Sequence, residues 1–313
     1  MDDILVKSGF NPDANYKIIG TSPIKHDGYD KVTGRAKFAA DAFLPGMLVG
    51  KILRSPHPHA IIKSIDTSRA EKLPGVKAVI TREDFPEKKP GSGPGDMTRM
   101  VIAREKVYWE GHPVAAVAAT TESIAKKALK LIEVDYEILP HVIDCKEAMQ
   151  PGAPILHDYM RTKGAIGDDA DKPSNVFERS VLKQGDIAKG FAQADVIIEK
   201  SFESKPMHQG YIELQSAIAN CSDDGQVDLW CCTQAPWVYR DRLTAIMDID
   251  SSKIKIQQSE LGGGFGGKTT FYIEPLAIAL SRKGKAPVKI TMTRAEVLKG
   301  TGPVSGTHSR IKV

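Results

Sequence analysis

The stretch Leu261-Gly262-Gly263-Gly264-Phe265-Gly266-Gly267-Lys268-Thr269 holds five glycines and one aromatic residue. It follows an alternating apolar run containing Ile254 and Ile256 and precedes a helical pattern. Glycine reaches φ > 0 without steric cost and lets backbone approach a bound group closely. A strand, such a loop and then a helix present backbone N–H groups to an anionic or oxo ligand. Gly262 to Thr269 also satisfies G-x-x-x-x-G-K-[ST], the phosphate loop of nucleotidases. The same residues could form a tight turn with no ligand. The loop alone leaves these readings open.

Other residues capable of chemistry are few. His57 and His59 flank Pro58, a pair that could ligate a metal but whose two neighbouring prolines equally impose an extended or turned path. The four cysteines, Cys145, Cys221, Cys231 and Cys232, contain no Cys-x-x-Cys pair. Cys231 and Cys232 are adjacent in an expected strand and point to opposite faces, which suits neither zinc nor an iron–sulfur cluster. All four are expected to be buried structural thiols.

The 313 residues suggest two domains, and 41% hydrophobic content supports a sizeable core. A net charge of +4, from 43 basic and 39 acidic residues, implies no nucleic-acid or membrane partner. No apolar run reaches the length of a membrane span. The acidic start Met1-Asp2-Asp3-Ile4 is not a secretory signal. A cytoplasmic protein is the expectation.

The elements that must position the loop follow from periodicity. An irregular arm (1–24) precedes strands at Leu48 to Arg54, Ile61 to Ile65 and Val76 to Ile80. A Pro/Gly-rich stretch (84–99) is expected to be a mobile surface loop. A continuous apolar run from His112 to Ala119 reads as a buried strand, followed by a helix capped by Thr120-Thr121-Glu122 and an alternating strand from Glu133 to Ile138. These make a compact α+β domain over 25–145. A proline- and charge-rich linker (146–185, with Asp168-Asp169-Ala170-Asp171) leads to a second domain over 186–313. There, strands are expected at Val196 to Phe202, Tyr211 to Asn220, Val227 to Thr233, Lys253 to Gln258 and Val288 to Thr293. Asp223-Asp224-Gly225 is a hairpin turn, Pro236 opens a helix, and Gly284 closes another.

The phosphate-loop reading meets difficulties in this frame. Pro275 would fall in the second turn of a helix starting at Lys268-Thr269, at a cost of about 3 kcal/mol. The last strand, Val288 to Thr293, ends without the acidic residue that holds magnesium.

A different set of motifs occurs in order. These are Lys31-Val32-Thr33-Gly34-Arg35-Ala36, Ser55-Pro56-His57-Pro58-His59-Ala60, His208-Gln209-Gly210-Tyr211-Ile212-Glu213, Thr233-Gln234-Ala235-Pro236, the loop Leu261 to Lys268, and Thr293-Arg294-Ala295-Glu296. Together they resemble the molybdopterin-binding subunits of the xanthine dehydrogenase/aldehyde oxidase family, over about residues 20–300. The resemblance implies an α+β fold: an α/β hammerhead domain, then the first, incomplete portion of the molybdopterin-binding domain.

It also implies a molybdenum–molybdopterin cofactor, in its cytosine dinucleotide form, held by the pterin dithiolene and not by protein side chains. Gln234 would donate to the apical oxo ligand as the catalytic residue, and Gly264, Phe265 and Gly266 would contact the cofactor. Gln234 could otherwise simply bond backbone at a strand end, and Phe265 could be plain core. The implied reaction hydroxylates an aldehyde or aromatic N-heterocycle with oxygen from water. Electrons pass to partner subunits carrying [2Fe-2S] and FAD.

Xanthine-oxidising members carry an acidic residue at the position of Thr269, which would border the substrate pocket. A hydroxyl cannot replace that charge, so xanthine is disfavoured. Carbon monoxide-oxidising members carry Asn at the position of Gly267, which disfavours that branch too. The family subunit is more than twice as long, and its general-base glutamate has no match in this sequence. Two expectations follow: a truncated subunit, or a naturally split one completed by a second chain. A non-catalytic assembly module of such a complex is the alternative.

Overall fold

The run Pro113–Ala119 is apolar at every position because it is covered on both faces. Alternate side chains of a strand point to opposite sides. Ala116 and Ala118 join one core with Ala78, Ile80 and Leu280. Ala115 and Val117 join a second core with Val79, Ala128 and Ile132. The structure is a computed structural model that describes residues 16–164 and 170–313. The N-terminal part of the expected arm, and Asp168 and Asp169 of the expected linker, lie outside the described residues.

The strands are β1 (Leu48–Arg54), β2 (Ala60–Asp66), β3 (Val76–Ile80), β4 (Lys106–Val107), β5 (Pro113–Ala119) and β6 (Glu133–Ile138). They continue with β7 (Glu199–Ser204), β8 (Ser216–Cys221), β9 (Val227–Cys231), β10 (Ile254–Gln258), β11 (Val288–Thr291) and β12 (Thr307–Lys312). Seven of them form one mixed sheet in the order β10-β9-β8-β11-β1-β5-β3. Smaller sheets have the orders β4-β2-β6 and β12-β7. The architecture is α+β, as expected.

The seven-stranded sheet crosses the expected linker. β1 pairs with β11 in parallel, Leu48 against Val288 and Gly50 against Ile290. Strands from the first half of the sequence therefore share hydrogen bonds and a core with strands from the second. The helix Glu274–Gly284 is buried from Glu274 to Ser281 and packs on both sets, touching β8, β11, β3 and β5. By compactness, residues 38–313 are one unit, and Met1–Lys37 are another. In that first unit the helix Gly28–Val32 is preceded by Asp27, whose carboxylate accepts from Lys31 Nζ at 2.6 Å.

Several sequence expectations are corrected. The stretch 84–99 is not all loop: Gly93–Val101 is a helix with Pro94 in its first turn and Ser92 as N-cap. The strand expected from Tyr211 begins only at Ser216, because 211–215 turn inward beneath the glycine loop. The helix expected to end with Gly284 as cap includes that glycine, and Lys285 takes the left-handed position at φ 52°. Cys145 is exposed, and Cys221 is half-buried. None of the described helices is long and apolar enough to cross a membrane.

Two residues make this fold testable. Gly50 has no room for a side chain, since a Cβ would lie 2.5 Å from Ile290 Cγ1 and 3.1 Å from Val288 Cγ1. Gly50→Val should lower unfolding free energy by about 1–3 kcal/mol in urea titrations. His112 is fully buried and stacks on Trp109 at 3.8 Å. Its Nε2 donates to the Arg99 carbonyl at 2.7 Å, and its Nδ1 accepts from the Tyr108 N–H at 3.3 Å. Burial lowers its pKa to about 3. The neutral ring therefore contributes fully above the unfolded value near 6.5, and that contribution is lost as pH falls from there toward 3. Stability should drop at about 1.4 kcal/mol per pH unit from this residue. Chemical unfolding of His112→Gln at pH 7, 5.5 and 4.5 should show a shallower slope than the unsubstituted protein.

Candidate functional site

β9 and β10 are parallel neighbours joined through the helix Pro236–Met247. Parallel pairing puts their carboxyl ends at the same edge, the usual place for a ligand site in such units. Thr233 and Gln234 leave β9 there, and the glycine loop leaves β10. Gln258 Nε2 ties the two exits together by donating to the Thr233 carbonyl at 2.7 Å. Pro236 occupies the first turn of the helix, where a missing N–H costs nothing.

The loop turns on three left-handed residues, Gly263 (φ 93°), Phe265 (φ 50°) and Gly266 (φ 89°). A non-glycine residue in that region is uncommon and often functional. Phe265 is not core: its side chain is exposed. Gly264 is forced to be glycine, because a Cβ would sit 2.4 Å from Gln234 Oε1. Gly267 is packed as closely, with its Cβ position 2.7 Å from Tyr211 Cε1.

Gln234 closes the loop from the β9 side. Its Oε1 accepts from the N–H groups of Gly266 (3.1 Å) and Lys268 (3.2 Å). Its own N–H donates to the Lys268 carbonyl at 2.9 Å. With Oε1 held by two donors, Nε2 is the end of the amide directed away from the loop, and it has no partner among the described residues. The N–H groups of Gly263, Gly264 and Phe265 likewise have no partner among the described residues. Gly264 is buried, so the donors open to a ligand are the Gln234 amide and the N–H groups of Gly263 and Phe265. Thr269 is exposed and donates from Oγ1 to the Gly266 carbonyl at 2.8 Å.

Beneath the loop lies a buried ion pair that sequence reasoning missed. Lys268 Nζ is 2.6 Å from Glu213 Oε2, with side-chain exposures of 0% and 8%. The ammonium also lies 4.9 Å from the Tyr211 ring centre. The signal was one charged residue inside an otherwise apolar and glycine-rich turn. This geometry overturns the phosphate-loop reading. The lysine of such a loop reaches outward to phosphates, whereas Lys268 points inward. The helix begins at Glu274, not at Lys268-Thr269, so Pro275 falls in its first turn.

Glu274 is fully buried, and burial raises its pKa. Its carboxylate accepts from the Tyr272 and Ile273 N–H groups at 3.0 and 3.1 Å. Burial raises the thiol of Cys232 to about 11 and holds that of Cys231 well above its ordinary value, so both stay neutral at pH 7. Among the described residues, no group of three or more His, Cys, Asp or Glu side chains could hold a metal ion. His59 Nδ1 bonds the Pro140 carbonyl at 2.7 Å, and His57 packs edge-on against Tyr136.

Residues 33–140 match the aldehyde oxidase and xanthine dehydrogenase a/b hammerhead domain. Residues 168–313 match the molybdopterin cofactor-binding domain. The chain is 38% identical over 275 residues to a probable xanthine dehydrogenase subunit of Bacillus subtilis (strain 168), covering 88% of this chain and 35% of that protein. It is 30% identical to the nicotinate dehydrogenase large molybdopterin subunit of Eubacterium barkeri, over 90% of this chain and 63% of that one. Quinoline 2-oxidoreductase from Pseudomonas putida 86 superposes with a TM-score of 0.80 at 28% identity, over 94% of this chain and 37% of that one. The chain spans about a third of the first of these relatives and under two thirds of the second.

Gly264→Ala and Gly266→Ala should separate loop packing from loop conformation. The first must expel the Gln234 side chain, which loses two hydrogen bonds of about 1 kcal/mol each. The second meets no atom within 4 Å and bears only the left-handed backbone cost, about 1 kcal/mol. Side-chain amide NMR should show Gln234 displaced in Gly264→Ala and unmoved in Gly266→Ala.

Proposed function

Because the chain belongs to the xanthine dehydrogenase/aldehyde oxidase family, as the hammerhead and first molybdopterin-binding portion of its molybdenum subunit, we propose that it forms part of the catalytic centre of a molybdenum hydroxylase. The observation that carries this is the orientation of Gln234, whose oxygen is occupied by the loop and whose Nε2 is free. A neutral amide donor suits an oxo ligand, since it polarises that oxygen without adding charge. The unpartnered N–H groups of Gly263 and Phe265 suit the same kind of acceptor. Gly266, where a Cβ would meet no atom within 4 Å, leaves the backbone open to the approach of a planar cofactor.

When bound, the molybdopterin cofactor supplies the oxygen-transfer and two-electron chemistry. This chain's residues bind and orient it: Gln234 holds a donor toward an oxo group, and the loop supplies backbone N–H groups. Thr269 borders the substrate. Its hydroxyl suits a neutral aldehyde or aromatic N-heterocycle better than a substrate needing a carboxylate partner. The cytosine dinucleotide form of the cofactor, the [2Fe-2S] and FAD partner subunits and a cytoplasmic setting belong to the same proposal. So does the remaining molybdenum-subunit portion, in the same polypeptide or a second one. The neutral, buried Cys231 and Cys232 are poor cluster ligands, so electrons would leave through those partners.

The test is purification of the complex containing this chain from its native host, with molybdenum and iron analysis and turnover of aldehydes and N-heterocycles. Molybdenum and iron should co-purify. Gln234→Glu keeps an oxygen for Gly266 and Lys268 but removes the free donor, and turnover should fall about 100-fold with metal retained. A native complex without molybdenum, or turnover unchanged in Gln234→Glu, would sink the reading.

A further inference from the structure

Glu213 Oε2 accepts from the Gly262 N–H at 2.8 Å and from Lys268 Nζ at 2.6 Å. One carboxylate oxygen therefore holds the first and seventh residues of the loop 262–268 together. The Glu213 N–H adds a bond to the Gly262 carbonyl at 3.3 Å. On the opposite side, Lys268 is tied through its backbone to Gln234, and its carbonyl also receives the Tyr239 hydroxyl at 3.3 Å. The Lys268 side chain faces Glu213, and its backbone faces the residue with the free donor.

We infer that the Lys268–Glu213 ion pair is a clasp that sets the loop's conformation and thereby aims the Gln234 amide. Both are positioning residues: they act through Gln234 and the loop N–H groups. The inference rests on the functional reading only for what the amide is aimed at.

The energetics favour a geometric role over a stabilising one. A buried ion pair recovers its desolvation cost only when the remaining polar atoms are satisfied. Glu213 Oε1 is buried with no hydrogen-bond partner among the described residues. Replacing such a pair by apolar residues of similar volume is often neutral for stability, whereas removing one partner strands a buried charge. Among the described residues the pair has no other charged group as a direct partner. Glu274 spends its carboxylate on the Tyr272 and Ile273 N–H groups, and the neutral Cys232 thiol donates to backbone carbonyls. What the pair provides is a fixed distance between the two ends of a glycine-rich loop that would otherwise sample many conformations.

The double variant Lys268→Met/Glu213→Leu tests this in the full chain, with the single Lys268→Met alongside. Hydrogen exchange is read at the Gly266 and Lys268 amides, which Gln234 Oε1 protects, and at β9 and β8 as internal controls. The inference expects at least about tenfold faster exchange at Gly266 and Lys268 in the double variant, with the strands unchanged. Unchanged exchange at those two amides overturns it. Should the single variant fail to fold, the charge-free double variant still decides. In the native complex, the double variant should also change the Mo(V) paramagnetic resonance signal while the strands stay protected. A Mo(V) signal identical to the unsubstituted complex overturns the aiming of Gln234. A native complex lacking molybdenum would defeat the functional reading separately. Faster exchange at the two amides would then still support the clasp.

Discussion

Lys268 is bonded from three directions while its side chain is wholly shielded from water. Its ammonium meets Glu213, its N–H meets Gln234 Oε1, and its carbonyl receives the Gln234 N–H and the Tyr239 hydroxyl. Burying a lysine is costly unless its charge is met, and here the counter-charge comes from a segment far away in sequence. That constraint links three pieces of chain: the irregular 209–215 segment, the exit of β9 and the loop after β10. It also explains why 211–215 leave the strand pattern. Tyr211 and Glu213 must point toward the loop, so the ladder with β9 starts only at Ala217.

The sheet makes this convergence possible. β9 and β10 are brought side by side by a helical crossover, as parallel strands require, and their carboxyl ends open at one edge. β8 and β11 hold that pair against β1 and β5, so the hammerhead strands and the cofactor-domain strands form one continuous surface. The buried helix Glu274–Gly284 lies across it. Its first residue, Glu274, bonds the N–H groups just before the helix, and so fixes the segment between the loop and the helix.

Much of this was legible in the residue pattern because it is local. The residue pattern located β1, β3 and β6 to the residue, β6 by strict alternation, and the double-sided burial of β5 was readable from its unbroken apolar run. Thr121 and Pro236 announced helix starts through their chemistry. The glycine loop was legible as a tight turn, since its glycine density calls for φ > 0 positions and close packing, both of which the structure has. Long-range pairing was not legible. Nothing in the local pattern says that Leu48 lies beside Val288, or that Lys268 finds Glu213. The Lys268 side chain invited the opposite reading, because a Gly-Lys-Thr triplet can turn its lysine outward or inward, and only the position of Glu213 decides. Gly93–Val101 was missed because Pro and Gly dominate its first turn, where they are tolerated, and so hid the helix behind them.

The arrangement of donors around the loop follows from that inward turn. Had Lys268 faced outward, the site would present a full positive charge and attract phosphate. With the charge neutralised below, the dipoles left at the surface are the Gln234 amide and the N–H groups of Gly263 and Phe265. Dipolar donors discriminate by geometry, whereas a free cation attracts any anion within a Debye length. Such a surface suits a ligand whose oxygens must be held without changing the net charge around them. The exposed Phe265 and Ile212, beside the same loop, give it an apolar rim. Gly262, Gly264 and Gly267 have no room for a side chain against Glu213, Gln234 and Tyr211, and Gly263 and Gly266 take positive φ, which is why the loop spends five glycines on seven positions.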